Sequence, residues 1–163
     1  MAVDPKRLFH PGPGDLFELL NEHGVEYLVL GAQAAILYGV ARSSFDIDIL
    51  LRPTPENAQR LVSALQRIGF GIARDLDPRE VFQKPFFTLA DQCKIDIFTV
   101  VPVCGRRYEE CVDRREVIEA AGVKVPCLDI GTLIASKQGT GRPKDAQDIL
   151  ELERIRTLRG TGA

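Results

Sequence analysis

The chain carries the run Phe45-Asp46-Ile47-Asp48-Ile49-Leu50-Leu51. Its composition is that of a buried β-strand, and buried strands rarely contain carboxylates. Side chains alternate between the two faces of a strand, so we expect Asp46 and Asp48 to project from the same side. Two neighbouring carboxylates repel each other and resist desolvation unless a cation lies between them. The run therefore predicts a divalent metal site on one face of a sheet.

A third aspartate has the same setting, because Asp96 lies between large apolar residues in the run Cys93-Lys94-Ile95-Asp96-Ile97-Phe98. If its strand lies beside the first one, three carboxylates converge. Carboxylate oxygens are the ligands that Mg²⁺ prefers, and two such ions can stabilise both oxygens of a displacement at phosphorus. The alternative is that the aspartates pair with arginines or lie at strand edges. Three aspartates in this setting favour the metal site.

A glycine turn lies upstream of the first aspartates, where Gly31-Ala32-Gln33-Ala34 follows an apolar strand and opens a short helix. Free N–H groups at a helix N-terminus, together with the helix dipole, form a site suited to phosphates. Gly31 permits a close approach of the backbone. Taken alone this motif is weak, since glycine also occurs at strand-to-helix turns for steric reasons.

The rest of the pattern predicts an α+β (mixed α/β) domain with a short mixed sheet flanked by helices and with helices at its C-terminus. Clear helix starts stand at Thr54-Pro55, Asp129 and Pro143, and a hairpin is indicated around Gly122. We expect a flexible leader over 1–14 and a tail over 157–163. Between them we expect a single domain over 15–156, which has a core over 25–101 and a C-terminal hairpin and helices over 115–156.

The composition excludes several classes of protein. A net charge of −2 argues against a protein that binds nucleic acid mainly by charge. No apolar stretch approaches the ~20 residues that span a bilayer, so no membrane partner is expected. Four cysteines without CxxC spacing and two histidines argue against zinc. The thiols are typical of a reducing compartment, and we expect a cytoplasmic location.

The combined motifs resemble the signature of the DNA polymerase β-like nucleotidyltransferase superfamily. Those motifs are Gly31-Ala32-Gln33-Ala34, Tyr38-Gly39, Arg42-Ser43-Ser44 and Asp46-Ile47-Asp48. The nearest branch resembles small bacterial proteins grouped with AbiEii-type toxins and minimal nucleotidyltransferases. The tail is similar to that branch in Leu133-Ile134-Ala135-Ser136-Lys137, Gly141-Arg142-Pro143-Lys144-Asp145 and Asp148. The resemblance spans roughly residues 15 to 156 and implies the nucleotidyltransferase fold, with the active site at one edge of the sheet.

The resemblance also implies roles for individual residues. Asp46 and Asp48 would bind the metals that hold a triphosphate, and Asp96 would complete the site and take a proton from an acceptor hydroxyl. Gly31 and the amide of Ala32 would face the phosphates. Many superfamily members have serine where this chain has Ala32, which offers only its N–H group.

Further nucleotide-binding residues follow from the same resemblance. Ser44 stands close to the metal strand, where family members often have threonine, and Arg42 and Lys137 would offset phosphate charge. Lys137 could equally be a structural charge that stabilises the last turn of a helix. For Arg142 and Lys144, a role in phosphate binding and a purely structural role are equally favoured. Negative charge is favoured in the first helical turn in any case, so Asp145 and Asp148 are assigned a structural role.

The predicted reaction is the transfer of a nucleoside monophosphate from an NTP to a hydroxyl acceptor, with Mg²⁺ in a two-metal site or Mn²⁺ in its place. A protein or tRNA acceptor is favoured over a small molecule because the chain has little beyond the core. A toxin–antitoxin or defence role with a cognate partner protein is the expected context. The alternative is a catalytically silent module that binds nucleotides or a partner and retains the fold.

Overall fold

The structure is a computed structural model that describes residues 13–91 and 93–161. Most of the predicted leader, residues 1–12, lies outside the described residues, as do Gln92 and the last two residues of the predicted tail. Within the described part of the chain, no helix is both long and apolar enough to cross a bilayer.

The described residues form six α-helices and six strands. The helices are α1 (Pro13–Glu22), α2 (Gly31–Tyr38), α3 (Pro55–Arg67), α4 (Tyr108–Cys111), α5 (Ile130–Lys137) and α6 (Pro143–Thr161). The strands are β1 (Tyr27–Leu30), β2 (Ile47–Leu51), β3 (Phe86–Ala90), β4 (Lys94–Phe98), β5 (Glu116–Ala120) and β6 (Val123–Cys127). Short 3₁₀ turns lie at Gly71–Arg74, Pro78–Val81 and Val112–Arg114.

All six strands form one sheet in the order β3-β4-β2-β1-β6-β5. Strand β2 runs parallel to β4 and β1 runs parallel to β6, while the other neighbours are antiparallel. The predicted mixed sheet flanked by helices is therefore confirmed. Strands β2 and β4, which carry two of the predicted aspartates, lie side by side near one end of the sheet.

Local sequence signals set several of these boundaries. The Thr54 hydroxyl accepts a hydrogen bond from the Asn57 N–H at the start of α3, and Pro55 occupies the first helical position. Asp129 caps α5 in the same way through the Thr132 N–H. The turn of the β5–β6 hairpin has positive φ at both Ala121 and Gly122, the geometry that matches the twist of a two-residue hairpin.

Some boundaries differ from the sequence prediction. Helix α1 begins at Pro13, inside the predicted leader, and α6 continues through residue 161, inside the predicted tail. The last turns of α6 are held by Arg159, which bonds the Glu116 carboxylate at 2.8 Å and lies over the Tyr38 ring at 5.5 Å from the centroid. These contacts explain why the helix extends past residue 156.

The strand with the first two aspartates is shorter than predicted, because β2 begins at Ile47. Asp46 therefore lies in the loop that leads into the strand, and its side chain is exposed. The strand alternation from which the prediction was made therefore does not extend to Asp46. Only Asp48 is held by the register of the sheet.

Candidate active site

Two of the three predicted aspartates meet in the sheet. Asp48 on β2 lies directly opposite Asp96 on β4, and Thr88 on the edge strand β3 lies opposite Asp96 on its other side. The three side chains thus form one row across three neighbouring strands. The Thr88 hydroxyl donates a hydrogen bond to Asp96 Oδ1 at 2.8 Å, and Lys94 Nζ lies 3.6 Å from Asp96 Oδ2.

Burial and repulsion by neighbouring carboxylates disfavour the ionised form of the Asp48 side chain. Its pKa is raised to about 7, first by burial and then by the neighbouring Asp96 carboxyl, while Asp46 adds a smaller effect in the same direction. Lys137 acts against this rise, so its ammonium lies close enough to lower the pKa of Asp48. The Asp96 carboxyl lies close enough to raise the pKa of Asp48, and a divalent cation between the two groups would offset this repulsion.

Asp46 is not gathered with the other two. Its side chain is exposed, and its backbone N–H donates to the Ser44 hydroxyl at 3.3 Å. Among residues 13–91 and 93–161, no three His, Cys, Asp or Glu side chains are grouped so that they could hold a metal ion. Two of the predicted ligands are thus in place, and the third lies two residues away on the adjoining loop.

Gly31 lies directly against the Asp48 carboxylate. Its φ is +67°, which favours glycine, and a Cβ atom built at this position would lie 2.0 Å from Asp48 Oδ2. Only a residue without a side chain allows β2 and the start of α2 to approach this closely. This contact is with a carboxylate, and the predicted approach of Gly31 to a phosphate stays a prediction.

The predicted phosphate site begins at the same point. Helix α2 starts at Gly31, and the preceding Leu30 provides no side-chain cap for its first N–H groups. Ala32 is the next residue of this first turn. Gln33, one residue further, is buried and donates from Nε2 to the Ser44 carbonyl at 2.6 Å. This bond ties α2 to the loop that carries Ser44 and Asp46.

The two predicted basic residues converge on an aspartate from α6. Lys137 Nζ lies 2.9 Å from Asp148 Oδ2, and Arg42 Nη1 lies 2.5 Å from the same oxygen. Asp145 adds a longer contact of 3.6 Å to the Lys137 ammonium. Lys137 and Asp148 are both buried. Lys137 therefore connects the Asp48 environment to α6, and in this arrangement its charge is compensated by protein carboxylates.

The residues of the site that sequence reasoning missed are Asp148, Gln33 and Thr88. Asp148 was assigned to the helix dipole, although the i, i+3 spacing from Asp145 places both carboxylates on one face of α6. Gln33 stands inside the quoted glycine motif. Thr88 carried no signal of its own in the sequence, because only the β3–β4 register brings it to Asp96.

A cleft of about 350 Å³ lies beside this network. It is bordered by residues 40–43 of the loop before Asp46 and by the outer side of α6, with Arg42 and Asp148 in its wall. None of the three predicted aspartates lines it. The cleft therefore shares the Arg42–Asp148 pair with the basic network and does not contain the carboxylate row.

The donor set fits a hard divalent cation. Asp48 and Asp96 lie opposite each other on neighbouring strands, no arginine is bonded to either among the described residues, and a divalent cation would neutralise both charges. The row of Asp48, Asp96 and Thr88 offers only oxygen atoms as ligands, the type that hard cations such as Mg²⁺ and Mn²⁺ prefer.

The raised pKa of Asp48 has a measurable effect on stability. The folded protein binds this proton more tightly than the unfolded chain, whose carboxyl has a pKa of about 4. The contribution to stability is therefore full below about pH 4 and is lost as the pH rises through the folded pKa of about 7. The loss at pH 8 is on the order of 4 kcal/mol, or roughly 10 °C in melting temperature.

We expect Asp48→Asn to remove this loss, since the amide carries no charge. Without added metal, the variant should melt about 10 °C above the wild type at pH 8, with the difference shrinking toward pH 4. Thermal unfolding in a chelating buffer at several pH values measures it. A difference in melting temperature that does not change with pH would show that the pKa of Asp48 is not raised in the folded protein.

The buried Lys137–Asp148 pair leads to a second prediction about stability. Asp148→Asn leaves a buried ammonium without its main counter-charge, which typically costs 3–5 kcal/mol, or about 10 °C in melting temperature. Asp145→Asn is the matched control, because Asp145 lies further from the same ammonium at 3.6 Å. Equal losses from the two variants would show that Asp148 does not hold the network.

One comparison with solved structures agrees with this architecture. No protein-family model matches the chain, and no curated protein matches it. An antigenic nucleotidyltransferase-like protein from Paracoccidioides brasiliensis superposes with a TM-score of 0.51 at 16% identity, over 96% of this chain and 78% of that chain. A "putative nucleotidyltransferase" from Thermotoga maritima gives a TM-score of 0.45 at 18% identity, over 90% of this chain and 85% of that chain. The first of these likenesses shows that the chain has a nucleotidyltransferase-like fold.

Proposed function

We propose that the protein is a metal-dependent nucleotidyltransferase that moves a nucleoside monophosphate from an NTP to a hydroxyl group. One observation carries the proposal. Two carboxylates lie side by side on adjacent parallel strands, and one of them, Asp48, lies directly against the backbone of Gly31, which begins a helix. The sheet keeps these charges together although burial and mutual repulsion disfavour them, and the nucleotidyltransferase-like fold supports the same reading.

In this proposal Asp48 and Asp96 hold the metal, and Asp46 completes the set by turning its exposed side chain toward them. The bound metal supplies charge neutralisation at the phosphates. The first N–H groups of α2, at Gly31 and Ala32, bind the triphosphate oxygens. Asp96 accepts the proton of the attacking hydroxyl.

The basic residues have a supporting role. Lys137 is close enough to Asp48 to affect its pKa, so it can add positive charge beside a bound triphosphate. Arg42 lies on the loop between α2 and Asp46, and both basic side chains are positioned by Asp148. Gln33 fixes the carbonyl of Ser44 and with it the loop that presents Asp46.

The acceptor and the biological setting belong to the proposal as well. We infer a macromolecular acceptor, a protein or a tRNA, because the domain adds little to the core fold. The resemblance to the AbiEii-type branch supports a toxin–antitoxin or defence role with a cognate partner protein, and a cytoplasmic location fits the free thiols.

A transfer assay tests this function. The protein is incubated with Mg²⁺, a cell extract and each of the four NTPs labelled at the α-phosphate, and label in macromolecules is measured. The wild type should transfer label with pyrophosphate release, and Asp48→Asn should transfer none. Transfer that is equal in both proteins would come from the extract and would contradict the proposal.

One observation favours the second candidate, a module that binds nucleotides without turnover. Asp46 is not grouped with the other carboxylates, so the metal set is incomplete in this arrangement. Metal-dependent NTP binding without pyrophosphate release in any extract would establish this candidate instead.

A further inference from the structure

Thr88 has the surroundings of a nucleophile. Its side chain is exposed, and its hydroxyl donates a hydrogen bond to Asp96 Oδ1 at 2.8 Å. A hydroxyl bonded to a carboxylate that can take its proton is the arrangement that activates serine and threonine for attack. In the proposed reaction Asp96 is the group that receives the proton of the acceptor.

The position of β3 keeps this hydroxyl accessible. Strand β3 is the terminal strand of the sheet, and Thr88 lies on the same row as Asp48 and Asp96. Its neighbours on the same side of the strand, Phe86 and Ala90, are exposed as well, whereas Leu89 is buried. The Thr88 hydroxyl is thus open to solvent on the face that carries the carboxylates.

Two other threonine hydroxyls of the described residues donate to carboxylates, but these carboxylates lie in other parts of the fold. Thr132 bonds Asp129 at 2.6 Å within the N-terminal cap of α5 and is buried. Thr140 bonds Asp145 at 2.7 Å and is exposed. Neither carboxylate belongs to the Asp48–Asp96 row, so among the threonines of residues 13–91 and 93–161 only Thr88 couples an exposed hydroxyl to the proposed metal-binding pair.

We propose that Thr88 is itself an acceptor and that the protein places a nucleoside monophosphate on its own Thr88 hydroxyl. This inference rests on the proposed function. Thr88 Oγ1 attacks the α-phosphorus of the NTP and forms a new oxygen–phosphorus bond. The bond from the α-phosphorus to the oxygen that bridges to the β-phosphate breaks, and pyrophosphate leaves. The hydroxyl proton passes to Asp96 Oδ1.

The modification would limit the activity of the enzyme. The phosphodiester on Thr88 cannot donate to Asp96, and the attached nucleotide occupies the approach that another acceptor must use. The modified protein is therefore inactive toward other acceptors. Self-modification competes with transfer to a partner and becomes dominant when no partner hydroxyl is present.

The test is the mass of the purified protein after incubation with Mg²⁺ and each NTP, followed by peptide mapping. We expect the wild type to gain one nucleoside monophosphate on the peptide that contains Thr88. Thr88→Ser keeps the hydroxyl and should gain the same adduct, whereas Thr88→Val should gain none. Thr140→Val removes the other exposed threonine bonded to a carboxylate and should behave as the wild type.

The outcomes separate this inference from the proposed function. An adduct on any residue other than Thr88, or an undiminished adduct in Thr88→Val, overturns the inference. A wild type that labels an acceptor in the extract but never itself also overturns it and leaves the proposed function standing. If the wild type neither binds Mg²⁺ with an NTP nor transfers label, both fail together.

Discussion

Asp96→Asn is expected to lower nucleotidyl transfer by at least about a thousandfold, because it removes a metal ligand and the proton acceptor in one change. The amide can still accept from Thr88, so the fold should persist and the loss should appear in turnover. Pyrophosphate release with Mg²⁺ and each NTP measures this effect, with circular dichroism as the check on folding.

Asp91→Asn is the matched control for this variant. Asp91 is exposed and follows β3 directly, in the same hairpin as Asp96, but it lies outside the carboxylate row. We expect it to keep wild-type turnover. A loss of similar size in both variants would point to disruption of the hairpin, and full activity in Asp96→Asn would remove Asp96 from the mechanism.

Gly31→Ala should strongly destabilise the protein, because alanine would be strained by the positive φ and its Cβ would also collide with Asp48. Alanine at φ +67° costs roughly 1–2 kcal/mol, and its Cβ would lie 2.0 Å from Asp48 Oδ2. The carboxylate or the start of α2 must shift to relieve this contact. We therefore expect several kcal/mol of destabilisation together with the loss of metal-dependent NTP binding.

Gly24→Ala isolates the backbone penalty. Gly24 has φ +68°, almost the same as Gly31, and a Cβ there meets nothing within 4 Å. Urea unfolding of the two variants gives the two free energies of unfolding, and their difference measures the clash with Asp48. If the two substitutions lower the free energy of unfolding by the same amount, the contact between Gly31 and Asp48 is not tight.

Much of the fold could be predicted because its signals are local. The Thr54-Pro55 start of α3, the Asp129 cap of α5 and the Ala121-Gly122 turn each depend on a few neighbouring residues. Strand ends were harder to predict. The apolar residues Val81 and Phe82 do not join β3, which begins only at Phe86, since Pro78 favours the start of a 3₁₀ turn and Pro85 lacks the N–H that a ladder needs.

The acidic residues of the site could be predicted from the sequence, whereas the residues that contact them were harder to predict. A carboxylate in an apolar strand is visible in one sequence, which is how Asp48 and Asp96 were found. The pairing of Thr88 with Asp96 depends on strand register, and the convergence of Arg42 and Lys137 on Asp148 depends on how α6 packs. Contacts between residues far apart in the chain leave no local pattern.

Calorimetric titration of the wild type and of Asp48→Asn with NTP, with and without Mg²⁺, shows whether Asp48 binds the metal that holds the nucleotide. We predict that the wild type binds an NTP only when Mg²⁺ is present, and that Asp48→Asn weakens this binding at least about a hundredfold while remaining folded. Equal affinity in the two proteins, or NTP binding by the wild type that does not depend on the metal, would contradict the account.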